Sequence, residues 1–312
     1  MEENKDNCID KAKSRTRVFF DDLIAGICIG VAFIIPGFSG GSVAAILGVY
    51  EKLINAIANI FKEIKKSIIT LLPIGVGMLV GIGALLFPIA YMLDRYPLQT
   101  VSLFIGLALG GIPALTDKIK GNPTSNEIIT LSVPLAVTIC ISFIPGGADV
   151  NLFGLKFSGY LLLFLIGIIG SIALVVPGIS GSMILLILGY YNPLVNLLTE
   201  HLLKLRHVPS CVLVLMVFGV GAAIGFFLIS MLMKTLFAKF PRGTYFSIIG
   251  FIIGSIPVVY VSTMKSAGMI SQSFAPISLP TSPFVYVICL FLIVMGVSIS
   301  NGFTNVASKK AD

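Results

Sequence analysis

The sequence predicts an all-α integral membrane protein: an inverted repeat of two five-segment units, each beginning with a re-entrant helical hairpin. Three observations predict it. Of the 312 residues, 56% are hydrophobic and only 11% charged, with a mean hydropathy of +1.03, whereas roughly a quarter of an ordinary soluble domain is charged. Apolar runs recur along the whole chain, each near the ~20 residues that cross a ~30 Å hydrocarbon layer, and leave no room for a sizeable water-soluble domain. The third observation is a duplication. Residues 30–57 (GVAFIIPGFSGGSVAAILGVYEKLINAI) align without a gap on residues 171–198 (SIALVVPGISGSMILLILGYYNPLVNLL), 141 positions on.

The elements follow in order. Residues 1–17 are polar, mix acidic and basic side chains and carry no small-residue cleavage site before the first apolar run, which reads as a retained cytoplasmic tail. The first unit covers 18–145, with apolar segments at 18–35, 42–60, 68–93, 98–116 and 127–144. The second covers 157–304, with segments at 157–176, 182–199, 209–236, 243–261 and 284–304, and 305–312 form another short cytoplasmic tail. Beyond the hairpins the spacing widens to 144, setting Gly77 and Gly81 over Gly221 and Gly225, and Pro97 and Thr100 over Pro241 and Thr244. The fifth segments align poorly, so there the repeat rests on hydropathy and count.

Five segments per unit is an odd number, so the second unit enters the membrane from the opposite face, as in many secondary transporters. With the N-terminus inside, sixteen Lys and Arg residues fall in inner loops and tails, and only Arg95, Lys156, Lys204, Arg206 and Lys265 outside. That bias places both termini in the cytoplasm. The turns PGFSGGS (36–42) and PGISGSM (177–183) lie either at the far surface or partway through the bilayer. Glu51 stands ten residues past Gly41, about 15 Å along a straight helix, so a surface turn would leave Glu51 and Lys52 near the bilayer centre at a cost of several kcal/mol. Asn192-Pro193 at the equivalent positions reads as a helix end. Re-entrant hairpins are favoured, with two full spans as the alternative.

Irregular backbone at membrane depth survives only inside protein or along a wet cavity. The duplicated turns therefore form the candidate substrate site: Ser39, Gly40, Gly41 and Ser42 from one, and Ser180, Gly181 and Ser182 from the other. Their N–H groups and helix starts converge on one place, an arrangement that attracts anions and phosphate in particular. Arg95 and Arg242, in loops beside Pro97 and Pro241, could offer forks to a phosphate arriving from either face or could snorkel at the interface. Glu51 is the candidate group for coupling to a proton or sodium gradient, with an interfacial Glu-Lys pair as the alternative. Asn55 and Asn196 recur at one offset as supporting polar groups that bond a headgroup or simply tie helices together, and Tyr50 and Tyr191 recur likewise, reading as interfacial anchors more than as ligands. GICIG (26–30), GMLVG (77–81), GLALG (106–110), GAAIG (221–225) and GFIIG (250–254) read as helix-packing motifs.

No catalytic or metal-binding set emerges. The two histidines, His201 and His207, share one polar loop, and there is no HExxH, Walker A, DDxxD or paired CxxC. Five cysteines form no pattern, no cofactor is implied, and the net charge of +7 follows from the cytoplasmic loops rather than from nucleic-acid binding.

At PGFSGGSVAAILGVYEKLI and PGISGSMILLILGYY, with the duplicated glycine-rich helices, the chain resembles the bacterial polyprenyl-phosphate transporter family over roughly 18–304. The family motif falls on Pro36, Gly37, Ser39, Gly40, Gly41, Gly48 and Tyr50, and again on Pro177, Gly178, Ser180, Gly181, Gly189 and Tyr191. The resemblance implies a flippase of the bacterial cytoplasmic membrane. It would return undecaprenyl phosphate from the outer to the cytoplasmic leaflet for cell-envelope synthesis, the anionic headgroup held at a midplane site and the isoprenoid tail left in lipid. Two alternatives belong to other classes. Undecaprenyl-pyrophosphate phosphatases carry a PGxSRS motif and a glutamate-rich one, but Gly40 and Gly181 stand where that arginine would be and the glutamate-rich motif is absent. A small-anion secondary transporter would need aqueous cavities on both sides. The sequence implies no particular oligomeric state.

Overall fold

Within a bilayer, backbone polar groups must bond inside their own segment, which makes apolar runs helical. The computed structural model describes residues 2–34, 39–119, 121–144, 147–177, 181–202, 208–269 and 282–308, and among them there is no strand. Pro36, Gly37, Gly178, Ser180, Lys204 and Arg206, together with the side chain of Ser182, lie outside the described residues. In the first unit the helices are α1 (Glu2–Ile34), α2 (Gly40–Ile46), α3 (Tyr50–Ala58), α4 (Ile64–Arg95), α5 (Pro97–Thr116) and α6 (Ser125–Ser142). In the second they are α7 (Phe157–Val175), α8 (Gly181–Ile187), α9 (Tyr191–Asn196), α10 (Val208–Lys239), α11 (Pro241–Ser266) and α12 (Pro283–Ser308), with a π-helical turn over Leu197–Leu202. α1 runs back through the polar stretch, since no proline or turn pair interrupts it.

Helices α4, α5, α10, α11 and α12 are each long and apolar enough to cross a membrane, and α6 and α7 carry shorter apolar stretches. Large apolar side chains such as Phe87 (78% exposed) and Phe157 (85%) face outward, as lipid-facing positions should. This is a multi-pass membrane protein.

One expectation is corrected. The segments read as 42–60 and 182–199 are not continuous helices. Gly48 and Gly189 both adopt left-handed backbone, φ +72° and +76°, and each closes a Schellman cap. Gly48 N–H donates to the Ala45 carbonyl (3.1 Å) and Val49 N–H to Ala44 (3.0 Å), while Gly189 N–H donates to Leu186 (3.1 Å) and Tyr190 N–H to Leu185 (2.8 Å). The chain turns by 117° between α2 and α3. The straight 15 Å rise to Glu51 therefore does not apply, and Asn192-Pro193 opens α9 instead of ending a helix, since proline suits a first helical turn.

Helix pairing follows the duplication. The most extensive contacts join α1 to α4 as α7 joins α10, and α5 to α12 as α11 joins α6. The joints between α4 and α5 and between α10 and α11 have nearly the same backbone, Tyr96 at φ −135°, ψ 53° and Phe240 at φ −135°, ψ 58°. Small residues let these pairs close. A methyl added to Gly26 or Gly30 would meet the backbone of Ile74 or Met78, one on Gly106 or Gly110 that of Ile293 or Val297, and one on Gly250 or Gly254 that of Leu131 or Leu135.

Candidate functional site

The two duplicated turns meet. Ser39 is extended (φ −105°, ψ 127°) and its carbonyl accepts from Ser42 N–H (3.0 Å) at the start of α2, but its side chain makes no capping bond. Ser39 and Ser42 are buried at 3% and 0% exposure, and neither hydroxyl has a hydrogen-bond partner among the described residues. A Cβ on Gly41 would sit 2.9 Å from the Val175 carbonyl and 3.4 Å from Pro177, the start of the second turn. The hydroxyl of buried Tyr50 donates to that same carbonyl at 2.8 Å. The result is a polar spot, two buried hydroxyls at the start of α2, packed among apolar residues. Unbonded hydroxyls buried this way are costly.

Helix α3 is tied to four neighbours. Besides the Tyr50 bond to α7, Glu51 accepts a hydrogen bond from Tyr245 of α11. Lys52 is paired with buried Asp22 of α1, and Asn59, capping α3, accepts from Lys234 of α10 at 2.7 Å. Tyr50 and Tyr245 flank Phe237, with ring centroids 5.8 and 5.4 Å away. An acid inside a membrane domain persists when it has a partner, and the partners here differ from those expected: Glu51 holds Tyr245 and Lys52 holds Asp22.

Two cavities flank the first turns of α11. A polar one of about 600 Å³ contains Tyr50, Glu51, Lys52, Asn55, Lys118 and Tyr245. The other, about 690 Å³, is a mainly apolar groove between α6, α10 and α11 that reaches from Arg242 to Val176 and Pro177. At its mouth Arg242 forks onto Glu127, Nε to Oε1 at 2.6 Å and Nη2 to Oε2 at 3.1 Å. Glu127 also closes the capping box of α6 with Thr124. Ile248 borders both cavities.

The structure thus brings together Ser39, Gly40, Gly41, Ser42 and Tyr50, and places Glu51 and Asn55 in one chamber. Gly181 begins α8, while Arg95 is exposed at the end of α4 and borders neither cavity. Tyr191 and Asn196 are exposed on α9. The buried tyrosine of that hairpin is Tyr190, the counterpart of Val49. Sequence reasoning missed Tyr245, Glu127 and the groove, because pairings across 194 and 115 residues leave no local pattern.

A family model described as undecaprenyl phosphate translocase-like matches residues 29–275, a stretch that takes in both turns and α2 through α11. The chain belongs to this family. Among family relatives, a polyprenyl-phosphate transporter of Staphylococcus aureus is 28% identical over 244 residues, covering 77% of this chain and 85% of its own. Another of the same description, from Vibrio cholerae, is 22% identical over an alignment covering 95% of this chain and 99% of its own. No solved structure matches the chain.

Proposed function

We propose that this protein is a secondary transporter that carries polyprenyl phosphate from the outer to the inner leaflet of the bacterial cytoplasmic membrane, returning the carrier lipid for cell-envelope synthesis. The observation that carries the reading is the seat of Gly41 on Val175 and Pro177, beside the buried hydroxyls of Ser39 and Ser42, which have no partner among the described residues. An ionised phosphate cannot enter hydrocarbon unless donors replace its water. Hydroxyls and helix-start N–H groups are such donors, and the duplication assigns the equivalent Ser180, Gly181 and Ser182 to the same role. The names of the two relatives support the same substrate.

The mechanism rests on the chain being an inverted repeat with re-entrant hairpins and both termini in the cytoplasm. Each turn then belongs to one half, and rocking of the halves exposes the shared site to either leaflet. The tail needs no aqueous path and stays in lipid. Arg242 and Arg95 attract the headgroup near the two surfaces, and Asn55, Asn196 and Tyr191 line its approaches. Glu51 is the coupling group. Its partner Tyr245 lies on α11, and its neighbour Tyr50 grips α7 two residues before Pro177, so a proton or sodium ion taken up at Glu51 loosens the first turn of α3 and with it the second turn. One charge crossing ~100 mV contributes about 2.3 kcal/mol, a concentration ratio of roughly fifty.

Proteoliposomes loaded with a polyprenyl phosphate, with the lipid counted leaflet by leaflet under separate pH and sodium gradients, test this. The protein should speed exchange, and one gradient should drive accumulation. Glu51→Gln should retain exchange and lose accumulation. Exchange no faster than in protein-free vesicles overturns the proposal, and phosphate release from a polyprenyl pyrophosphate would make the protein a hydrolase.

A further inference from the structure

The apolar groove between α6, α10 and α11 has dimensions and chemistry that its neighbours do not need for packing. Its border on α11 runs from Arg242 to Phe251, nine helical steps and so about 14 Å, close to half of a ~30 Å hydrocarbon layer. One end is Pro177, against whose backbone Gly41 of the first turn rests, and the other is the charged pair Arg242 and Glu127. The α10 wall is apolar, formed by Ile229, Leu232, Met233 and Leu236, and it opens sideways, since Leu232 is 51% exposed and Phe240 64%. The facing walls carry Thr130, Thr244 and Ser247.

We infer that this groove is a binding site for one single-chain lipid with a phosphate monoester headgroup. The phosphate rests on Arg242 and the first isoprene units lie along α10 toward Pro177. The inference deepens the transport reading, on which it rests, by assigning the place the lipid occupies on its way between the turns and the nearer leaflet. Four features select this occupant. An apolar wall one leaflet deep matches a hydrocarbon chain. A volume of about 690 Å³ sits within the ~300–1,000 Å³ of small-ligand sites and is too small for a whole polyprenyl chain, so only the headgroup-proximal part is held. The sideways opening lets the remainder stay in the bilayer. The fork of Arg242 complements a phosphate, and the carboxylate of Glu127 occupies that fork at rest in the same bidentate geometry a phosphate would use. The lipid therefore arrives by exchanging with Glu127, which also provides a way for it to leave.

The test uses the full chain in nanodiscs and a polyprenyl phosphate bearing a photoreactive diazirine on its first isoprene unit, with adducts mapped by mass spectrometry. Labels should fall within 229–251. Arg242→Gln should lower this labelling about tenfold, the scale of a lost charge-assisted contact, and the matching prenyl alcohol should label the groove similarly weakly. Gly243→Phe should plug the groove, because a Cβ there meets nothing closer than Thr130 at 3.9 Å, so the ring can project into the space, and the backbone is not left-handed. Labels scattered over other lipid-facing helices, or unchanged by both variants, overturn the inference. Leaflet exchange by the parent separates the two readings: exchange with labels elsewhere overturns the groove alone, and groove labelling without exchange overturns transport alone.

Discussion

Ser39 and Ser42 hold buried hydroxyls without partners among the described residues, at a cost of about 1–3 kcal/mol each. A group kept at such a cost is explained if a ligand bonds it. Ser42→Ala should therefore leave thermal stability unchanged or raise it by about 1 kcal/mol, while weakening polyprenyl-phosphate binding by about fivefold, one neutral hydrogen bond. Lower stability in the variant would mean that the hydroxyl is already bonded in the free protein. Unchanged affinity would remove Ser42 from the site. The neighbouring glycines separate in a way the sequence does not reveal. A Cβ on Gly40 meets the ring of Phe33 and the side chain of Ile29, both able to shift, whereas one on Gly41 meets the Val175 carbonyl. Gly41→Ala should abolish lipid transport in vesicles and Gly40→Ala only reduce it. Equal effects would show that the contact between the two turns is dispensable.

Among the elements, the two Schellman caps explain both what was legible in the sequence and what was not. Ten apolar runs, a duplication and paired small residues were readable because each is a pattern within one segment or between two aligned ones, and the long helices fall on them. The bends at Gly48 and Gly189 were missed although their signal is present: a glycine followed by Val49 or Tyr190, apolar or aromatic residues as such caps favour. A lone glycine in an apolar run fits a packing motif equally well, and the five GxxxG motifs read as helix packing favour that reading. Partners such as Tyr245 for Glu51 stayed hidden because tertiary pairing has no sequence period. The caps also make a graded prediction. An L-residue held in left-handed backbone costs roughly 1–2 kcal/mol, so Gly48→Ala, with nothing near its Cβ, should lose about that much. Gly189→Ala should lose more, because its Cβ also collides with the Ala148 carbonyl. Thermal unfolding in detergent compares them, and equal losses would mean that the loop carrying Ala148 yields freely.

At the scale of the whole molecule, the two units share a fold and differ in what covers their bends. In the second, the loop after α6 seals the bend: Gly147 N–H donates to the Ile187 carbonyl (3.1 Å), Val150 N–H to Gly189 (3.0 Å), and Asn192 donates to Asp149 (3.1 Å). In the first, Leu47 and Gly48 border the polar cavity with Glu51. On the proposed inverted topology these bends face opposite leaflets, the one beside the polar cavity toward one and the covered one toward the other. The topology itself is testable at the starts of α6 and α12, which occupy the same place in their units. Ser125 and Ser282 are both exposed there. Whether the hairpins re-enter or span, an odd number of crossings separates the two positions. With Cys8, Cys28, Cys140, Cys211 and Cys289 replaced, a Ser125→Cys thiol should react with an impermeant maleimide only from the cytoplasmic face, as the basic-residue bias places it. A Ser282→Cys thiol should react only from outside. Labelling of both thiols from one face would make the units parallel and leave the two turns without the opposed geometry on which the shared phosphate site depends.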